Sequence, residues 1–91
     1  MVRMIVNDEF EVRLAATPAT GYQWEAGPLP DGITHLGTEY AQPSGGAPGD
    51  AGEQVFRFRA ERSGDFPLQF VLKRPWETTA ARTHEVVVTK R

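Results

Sequence analysis

The sequence has no cysteine, only two histidines and two serines, and no long hydrophobic run. The lack of cysteine excludes disulfide scaffolds, zinc ribbons, iron–sulfur sites and cysteine nucleophiles. No apolar run approaches the about 20 residues that a membrane-spanning helix needs. Ten Lys and Arg residues against twelve Asp and Glu residues give a net charge of −2. Binding to nucleic acid or to an anionic membrane is therefore not expected, since both need a basic excess.

Catalytic and metal-binding patterns are also scarce. His35 and His84 lie on predicted strands, and no third ligand stands at a metal-binding spacing. Neither Ser44 nor Ser63 belongs to a Gly-x-Ser-x-Gly motif. The glycine-rich stretch 45–52 lacks the Gly-Lys-Ser/Thr ending of a phosphate-binding loop. We therefore expect no enzyme, no cofactor and no bound metal.

The length of the chain sets the domain count. Its 91 residues correspond to one small domain, so we expect a single domain over residues 1–91 and a monomer. The first six residues contain no apolar segment of the kind found in signal peptides. We expect a soluble protein, cytoplasmic if Met1 is the native start, and periplasmic or secreted if a leader was removed.

Hydrophobic residues alternate with polar residues along most of the chain. In 9–14, for example, Phe10, Val12 and Leu14 fall on one face of an extended strand. No segment shows the helical period of 3.6. The predicted strands are 2–6, 9–14, 22–26, 33–40, 55–60, 66–72 and 84–89. About seven to eight short strands without helices predict an all-β fold, an antiparallel β-sandwich or barrel.

The segment 56–59 mixes aromatic and basic residues, as RNA-binding sheets do. Alternation places Phe56 and Phe58 on the core side and both arginines on the outer side, which favours a charged outer face over a base-stacking platform. The turn-rich link 61–65 predicts that the strands on either side of it neighbour each other. Pro67 is expected at a strand start or an edge position, because it cannot donate to a ladder.

Three longer links remain, 15–21, 41–52 and 73–82. With the strands lettered A to G in chain order, these are the B–C, D–E and F–G links, and alternate links of a sandwich gather at one end. The D–E link is glycine-rich, and we expect a flexible surface loop there. The other two contain prolines, which restrict the backbone.

The two tryptophans have different expected environments. Trp24 follows a turn into a strand, which favours a place in the core. Trp76 follows Pro75 beyond the alternating strand, and two interpretations remain open for it. It is either an exposed binding residue on a stiff loop, or it folds back onto the edge of the sandwich. In the first case the three links form one protruding edge, suited to entering a groove in a partner.

These links carry the motifs of a known family. The chain resembles the chagasin-like inhibitors of papain-family cysteine peptidases, which have an immunoglobulin-like β-sandwich. Their first signature, Asn-Pro-Thr-Thr-Gly-aromatic followed shortly by Trp, corresponds here to Thr17, Pro18, Ala19, Thr20, Gly21, Tyr22 and Trp24. Their second signature, Gly-x-Gly-Gly, corresponds to Gly49, Asp50, Ala51 and Gly52. Their third, Arg-Pro-Trp, is matched fully by Arg74, Pro75 and Trp76.

The resemblance implies a reversible, non-covalent inhibitor that occludes the active-site cleft. The B–C link would lie across the catalytic cysteine, with Thr20 nearest to it. The D–E and F–G links would cover the two sides of the cleft, and Trp76 would meet aromatic residues of the peptidase. Thr17 replaces the Asn of the signature, and we expect a looser B–C link from the loss of that side chain. Ala19 and Ala51 are the other departures from the signatures.

Two other functions stay open on the sequence. One is an immunoglobulin-like adhesion or carbohydrate-binding module that uses Trp76 and Tyr22 as platforms. The other is a structural module in a larger assembly. Neither predicts inhibition of a papain-like peptidase.

Overall fold

The computed structural model describes residues 2–17, 20–41 and 52–91. Within these ranges the chain forms strands and no α-helix, which confirms the all-β prediction. The strands are β1 (Val2–Val6), β2 (Glu9–Ala16), β3 (Gln23–Ala26), β4 (Ile33–Ala41), β5 (Gly52–Ala60), β6 (Gly64–Lys73) and β7 (Arg82–Lys90). Each lies on a predicted segment, and β5 begins three residues earlier than the alternation indicated. No helix in the described ranges has the length and apolar character to cross a membrane.

The strands form two sheets. One has the order β1-β7-β6-β3 and the other the order β2-β5-β4. All neighbours pair antiparallel except β1 and β7, which run parallel. Strands B, E and D in one sheet and C, F and G in the other are the arrangement of an immunoglobulin-like β-sandwich. The predicted fold class is confirmed.

The core lies between the sheets and follows the alternation of the sequence. Phe58 and Phe70 have no exposed surface, and the ring centroids of Phe56 and Phe70 lie 5.0 Å apart across the two sheets. Burying such aromatic side chains supplies much of the stability of a small domain. The other core residues are Phe10, Val12, Leu14, Ile33, Ala60, Phe66, Leu68, Val86 and Val88.

The outer face of the β2-β5-β4 sheet carries exposed ion pairs. Arg59 Nη2 lies 2.9 Å from Glu9 Oε2, and Arg57 pairs with Glu39. This confirms that Phe56 and Phe58 point inward while the arginines between and after them point outward. Exposed pairs of this kind contribute little to stability, so they serve mainly to keep the face soluble.

The link after β5 corrects one expectation. The strands on either side of it, β5 and β6, belong to different sheets and face each other across the core instead of pairing. Local turn composition does not show which sheet the next strand joins, because that depends on pairing with distant segments. Pro67 lies near the start of β6, where the register includes β7 but not β3. Pro67 is the fourth residue of β6 and not its start, so of the two expected positions the edge position is the one observed, because one side of the strand is unpaired with β3 there.

Candidate functional site

The roots of all three long links lie at the same end of the sandwich. The last residue of β2, Ala16, pairs with the first residue of β5, Gly52. At the same end Gln23 pairs with Lys73, where the B–C link finishes and the F–G link begins. The prediction that the links share one end is confirmed for their roots. We call this region the three-link end; its described residues are 17, 20–22 and 74–81.

One glutamine side chain joins the two sheets at this end. The main-chain N–H of Trp24 donates to Gln54 Oε1 at 2.6 Å, and Gln54 Nε2 donates to the carbonyl of Trp24 at 3.2 Å. The side-chain amide of Gln54 thus makes the two main-chain hydrogen bonds with Trp24 that a neighbouring strand would otherwise make. Because Trp24 is the second residue of β3 and Gln54 the third residue of β5, this bridge holds the starts of these two strands at a fixed distance. The sequence pattern gave no signal for it.

Trp24 itself lies at the edge of the core. Its ring packs against the core cluster but is only partly buried. The indole Nε1–H donates to the carbonyl of Ala15 at 2.9 Å. The predicted core position of Trp24 is therefore confirmed in part. The ring stays at the edge of the core because its polar Nε1–H needs a hydrogen-bond acceptor.

In the B–C link, Thr20 organises the backbone. Its amide and its hydroxyl both donate to the carbonyl of Thr17, at 3.1 Å and 2.7 Å, and the hydroxyl accepts from the amide of Tyr22 at 3.3 Å. Gly21 has a φ of +81°, in the left-handed region that favours glycine. The bonds to Thr17 use its main chain, so they do not depend on the side chain that replaces the Asn of the signature. Pro18 and Ala19 lie outside the described residues.

The F–G link begins with a closed turn from Arg74 to Glu77. The amide of Glu77 donates to the carbonyl of Arg74 at 3.0 Å, and the amide of Arg74 donates to Glu77 Oε1 at 3.1 Å. Pro75 stands at the second position of this turn, where its fixed φ is suited. Trp76 is 73 % exposed, which confirms that its ring does not fold back onto the edge of the sandwich; its role in binding stays a prediction. Sequence reasoning missed Glu77, because its role depends on a contact back to Arg74.

The B–C and F–G links contact each other through one guanidinium group. Arg74 Cζ lies 4.5 Å from the ring centroid of Tyr22 and 5.9 Å from that of Trp76. Gly21 lies against both side chains of the F–G link, since a Cβ there would be 3.8 Å from Trp76 Cη2 and 3.9 Å from Arg74 Cγ. These are cation–π distances, and such contacts stabilise the relative position of the links. Residues predicted from two separate motifs thus meet in space.

The root of the D–E link is packed tightly. Gly52 is buried, and a Cβ at this position would lie 2.5 Å from both Tyr40 Oη and the carbonyl oxygen of Ala41. Any side chain there would displace the neighbouring strand. Gly49, Asp50 and Ala51 lie outside the described residues, as does the rest of the loop expected to be flexible.

A shallow cleft of about 370 Å³ lies between the end of the B–C link and the strands β4 and β5. Its lining combines aromatic, amide and hydroxyl groups from Ala16, Tyr22, Gln23, Thr38, Glu39, Tyr40 and Gln54. In the described ranges no group of three or more His, Asp or Glu residues is arranged to hold a metal ion. The three-link end offers an exposed indole and a stiffened backbone, which are suited to binding a surface.

Comparison with known proteins identifies the family. The model of the family described as chagasin family peptidase inhibitor I42 matches residues 3–89. A search of curated proteins finds no match. The solved structure of EhICP2, a cysteine protease inhibitor from Entamoeba histolytica, is similar with a TM-score of 0.76 and 23 % identity, over 99 % of this chain and 85 % of that one. The solution structure of amebosin has a TM-score of 0.72 and 24 % identity, over 99 % of this chain and 87 % of that one.

The two structural similarities confirm the sandwich fold. The family match runs from the second residue of β1 to the penultimate residue of β7 and so includes all three long links. The chain therefore belongs to the chagasin family of peptidase inhibitors.

Proposed function

We propose that this chain is a reversible, non-covalent inhibitor of papain-family cysteine peptidases and that its three-link end fills the active-site cleft. The observation that carries the proposal is the meeting of Tyr22, Arg74 and Trp76 at one end, with Trp76 73 % exposed. Membership of a peptidase inhibitor family supports the activity. The similar structure of EhICP2, named as a cysteine protease inhibitor, supports the class of peptidase.

The B–C link has the features of a segment that enters a catalytic cleft without being cut. The hydroxyl and amide of Thr20 bond to the carbonyl of Thr17, and Gly21 turns the chain immediately afterwards. Cleavage requires the scissile carbonyl to align with the attacking thiolate. A backbone held in this bent form keeps its carbonyls away from that alignment, so the cysteine is covered but not acylated.

The F–G link supplies the apolar contact. An indole on a turn that is already closed provides a large contact area at a low cost in conformational entropy. A narrow edge that fills a groove in this way buries on the order of 800 Å² on each partner, the standard size of a protease–inhibitor interface. The residues that we propose to contact the peptidase are those of the three sequence signatures: 17–22, 49–52 and 74–76.

The alternative of a carbohydrate-binding or adhesion module is less consistent with the geometry. A sugar-stacking platform needs an open aromatic face, and the ring of Tyr22 has the guanidinium of Arg74 4.5 Å from its centroid. Membership of the inhibitor family does not favour that alternative either.

The test is a titration of active papain with the protein, with trypsin as the control peptidase. We expect tight inhibition of papain that is competitive with substrate, and no inhibition of trypsin. Equal inhibition of both enzymes, or of neither, would contradict the proposal.

Stability toward the target enzyme separates an inhibitor from a substrate. After incubation with excess active papain we expect an intact chain by mass spectrometry, because the B–C link does not adopt attack geometry. Rapid cleavage between Thr17 and Tyr22 would show that the link binds as a substrate.

A further inference from the structure

We propose that Glu77 is a positioning residue of the inhibitory surface. Its carboxylate holds the turn that presents Trp76, and through Arg74 that turn makes the B–C and F–G links one preorganised unit. This inference rests on the proposed function and adds to it a residue outside all three sequence signatures.

The turn is closed from both sides by Glu77. Its amide donates to the carbonyl of Arg74 at 3.0 Å, while its Oε1 accepts from the amide of Arg74 at 3.1 Å. The carbonyl of Glu77 also accepts from Lys73 Nζ at 3.2 Å, which ties the turn to the end of β6. Both main-chain groups of Arg74 are thereby fixed, and with them the path of the chain through Pro75 and Trp76.

This arrangement matters because the indole has little support of its own. Trp76 is 73 % exposed, and its ring meets the protein near Gly21 and the guanidinium of Arg74. An unsupported indole on an open loop would have to be ordered when the peptidase binds, and that ordering weakens the affinity. Closing the turn beforehand removes part of this cost.

The same turn directs Arg74 toward the B–C link. The guanidinium is 4.5 Å from the ring centroid of Tyr22, two residues after Thr20. If the main chain at Arg74 is released, the contact that joins the two links is weakened as well. Glu77 therefore acts on Trp76 through the turn and on Tyr22 through Arg74.

The experiment compares Glu77→Ala, Glu77→Gln, Glu25→Ala and Trp76→Ala with the unaltered protein. Glu25 is the matched control, because its carboxylate lies 3.6 Å from the same Lys73 but makes none of the hydrogen bonds of the turn. The inhibition constant against papain is measured together with the hydrogen exchange rate of the Arg74 amide in the free protein. The exchange rate reports the turn directly, whether or not the protein inhibits.

For Glu77→Ala we expect an inhibition constant about 3- to 10-fold higher, the loss that follows when one side chain has to be ordered on binding. The Arg74 amide should exchange at least about 10-fold faster in this variant, because it has lost its acceptor. Glu77→Gln keeps an acceptor oxygen and should stay within about twofold of the unaltered protein in both measurements. Glu25→Ala should change neither, and melting temperatures should show all variants folded.

Two outcomes would overturn the inference while the proposed function stands. One is normal inhibition by Glu77→Ala beside weakened inhibition by Trp76→Ala. The other is a glutamine variant as weak as the alanine variant, which would show that the hydrogen-bond acceptor is not what matters. If the unaltered protein does not inhibit papain, the proposed function fails and the positioning role fails with it.

Discussion

The two ends of the sandwich are held together by different chemistry. At the end opposite the three long links, ion pairs are prominent: Lys90 Nζ lies 2.6 Å from Asp8 Oδ1, and Arg62 Nη1 lies 3.2 Å from Asp31 Oδ2. The main chain adds a bond from the amide of Ala60 to the carbonyl of Asp8 at 2.7 Å. The carboxylates of Asp8 and Asp31 and the guanidinium of Arg62 are exposed, where an ion pair loses little hydration, while Lys90 is partly buried.

At the three-link end hydrogen bonds and aromatic contacts are prominent instead, with the carboxylate of Glu77 and the guanidinium of Arg74 among the groups that make them. The amide of Gln54 joins the sheets, the hydroxyl of Thr20 shapes one link, and Arg74 stacks on Tyr22 beside Trp76. Removing an ion pair from water is expensive, whereas a guanidinium is weakly hydrated and stacks readily on rings. The comparison suggests that this end is organised so that a partner can cover it at low cost.

The strongest test of the comparison places a charge in the B–C link. Thr20→Asp removes the hydroxyl that donates to Thr17 and introduces a carboxylate where the proposal puts the catalytic cysteine. We expect inhibition of papain to weaken by about 3 kcal/mol, the cost of burying an unpaired charge.

The matched control for this change is Ser63→Asp in the link between β5 and β6 at the opposite end, which should leave the inhibition constant unchanged. Normal inhibition by the Thr20 variant would show that the B–C link does not enter the cleft.

Removal of the exposed indole is expected to have the next largest effect. Trp76→Ala should weaken inhibition by about 2 kcal/mol, as expected for a central aromatic residue of an interface. The melting temperature should not change, because the ring is 73 % exposed. Ile5→Ala is the control, since Ile5 is 64 % exposed on the edge strand β1. Equal effects of both substitutions on the inhibition constant would remove Trp76 from the binding surface.

Removal of the Gln54 side chain, which joins the two sheets, should lower both the stability of the protein and its inhibition of papain. Gln54→Ala leaves the N–H and the carbonyl of Trp24 without this partner, so we expect the free energy of unfolding to fall by about 1–2 kcal/mol. Inhibition should weaken at the same time, because the starts of β3 and β5, from which two of the links extend, are no longer held together. Gln69→Ala on the exposed face of β6 is the control for urea denaturation. An unchanged denaturation midpoint for Gln54→Ala would contradict the role assigned to its amide.

Much of the fold could be predicted because strand alternation is a local property. Segments such as 9–14 and 55–60 show which side chains face the core without any knowledge of their partners. The links could be placed at one end for a similar reason, since chain order alone alternates the ends of an antiparallel sandwich. The exposure of Trp76 could not be decided in this way, because it depends on how the turn at Pro75 leaves the sheet.

The contacts that position the site could not be predicted from the sequence. Gln54 and Trp24 are 30 residues apart, and nothing near either residue indicates that they bond across the two sheets. The expected pairing of β5 with β6 failed for the same reason, since a short link serves a hairpin and a crossing between sheets equally well. Glu77 looks like an ordinary polar loop residue until its carboxylate is seen to accept from Arg74.

The smallest expected effect concerns the ion pair of Asp8 and Lys90, at the end of the sandwich opposite the three long links. The hydrogen bond from Lys90, followed by its charge, holds the pKa of Asp8 below its usual value of 3.8. The stabilisation from this pair is therefore present above that usual value and is lost as the pH falls through the lowered pKa. Asp8→Asn should lower the melting temperature slightly at about pH 7 and have no effect well below the lowered pKa.

Inhibition by Asp8→Asn should match that of the unaltered protein, because the three-link end is untouched. A clear loss of inhibition would break the distinction between the two ends.

The central claim, that the three-link end enters the cleft, is tested most directly by hydrogen exchange on the complex with papain. We predict slower exchange at Thr20 to Tyr22, around Gly52 and at Arg74 to Glu77, and unchanged exchange at Asp8, Arg62 and Gly64. Protection concentrated at the opposite end, or on the outer face of a sheet, would contradict the account.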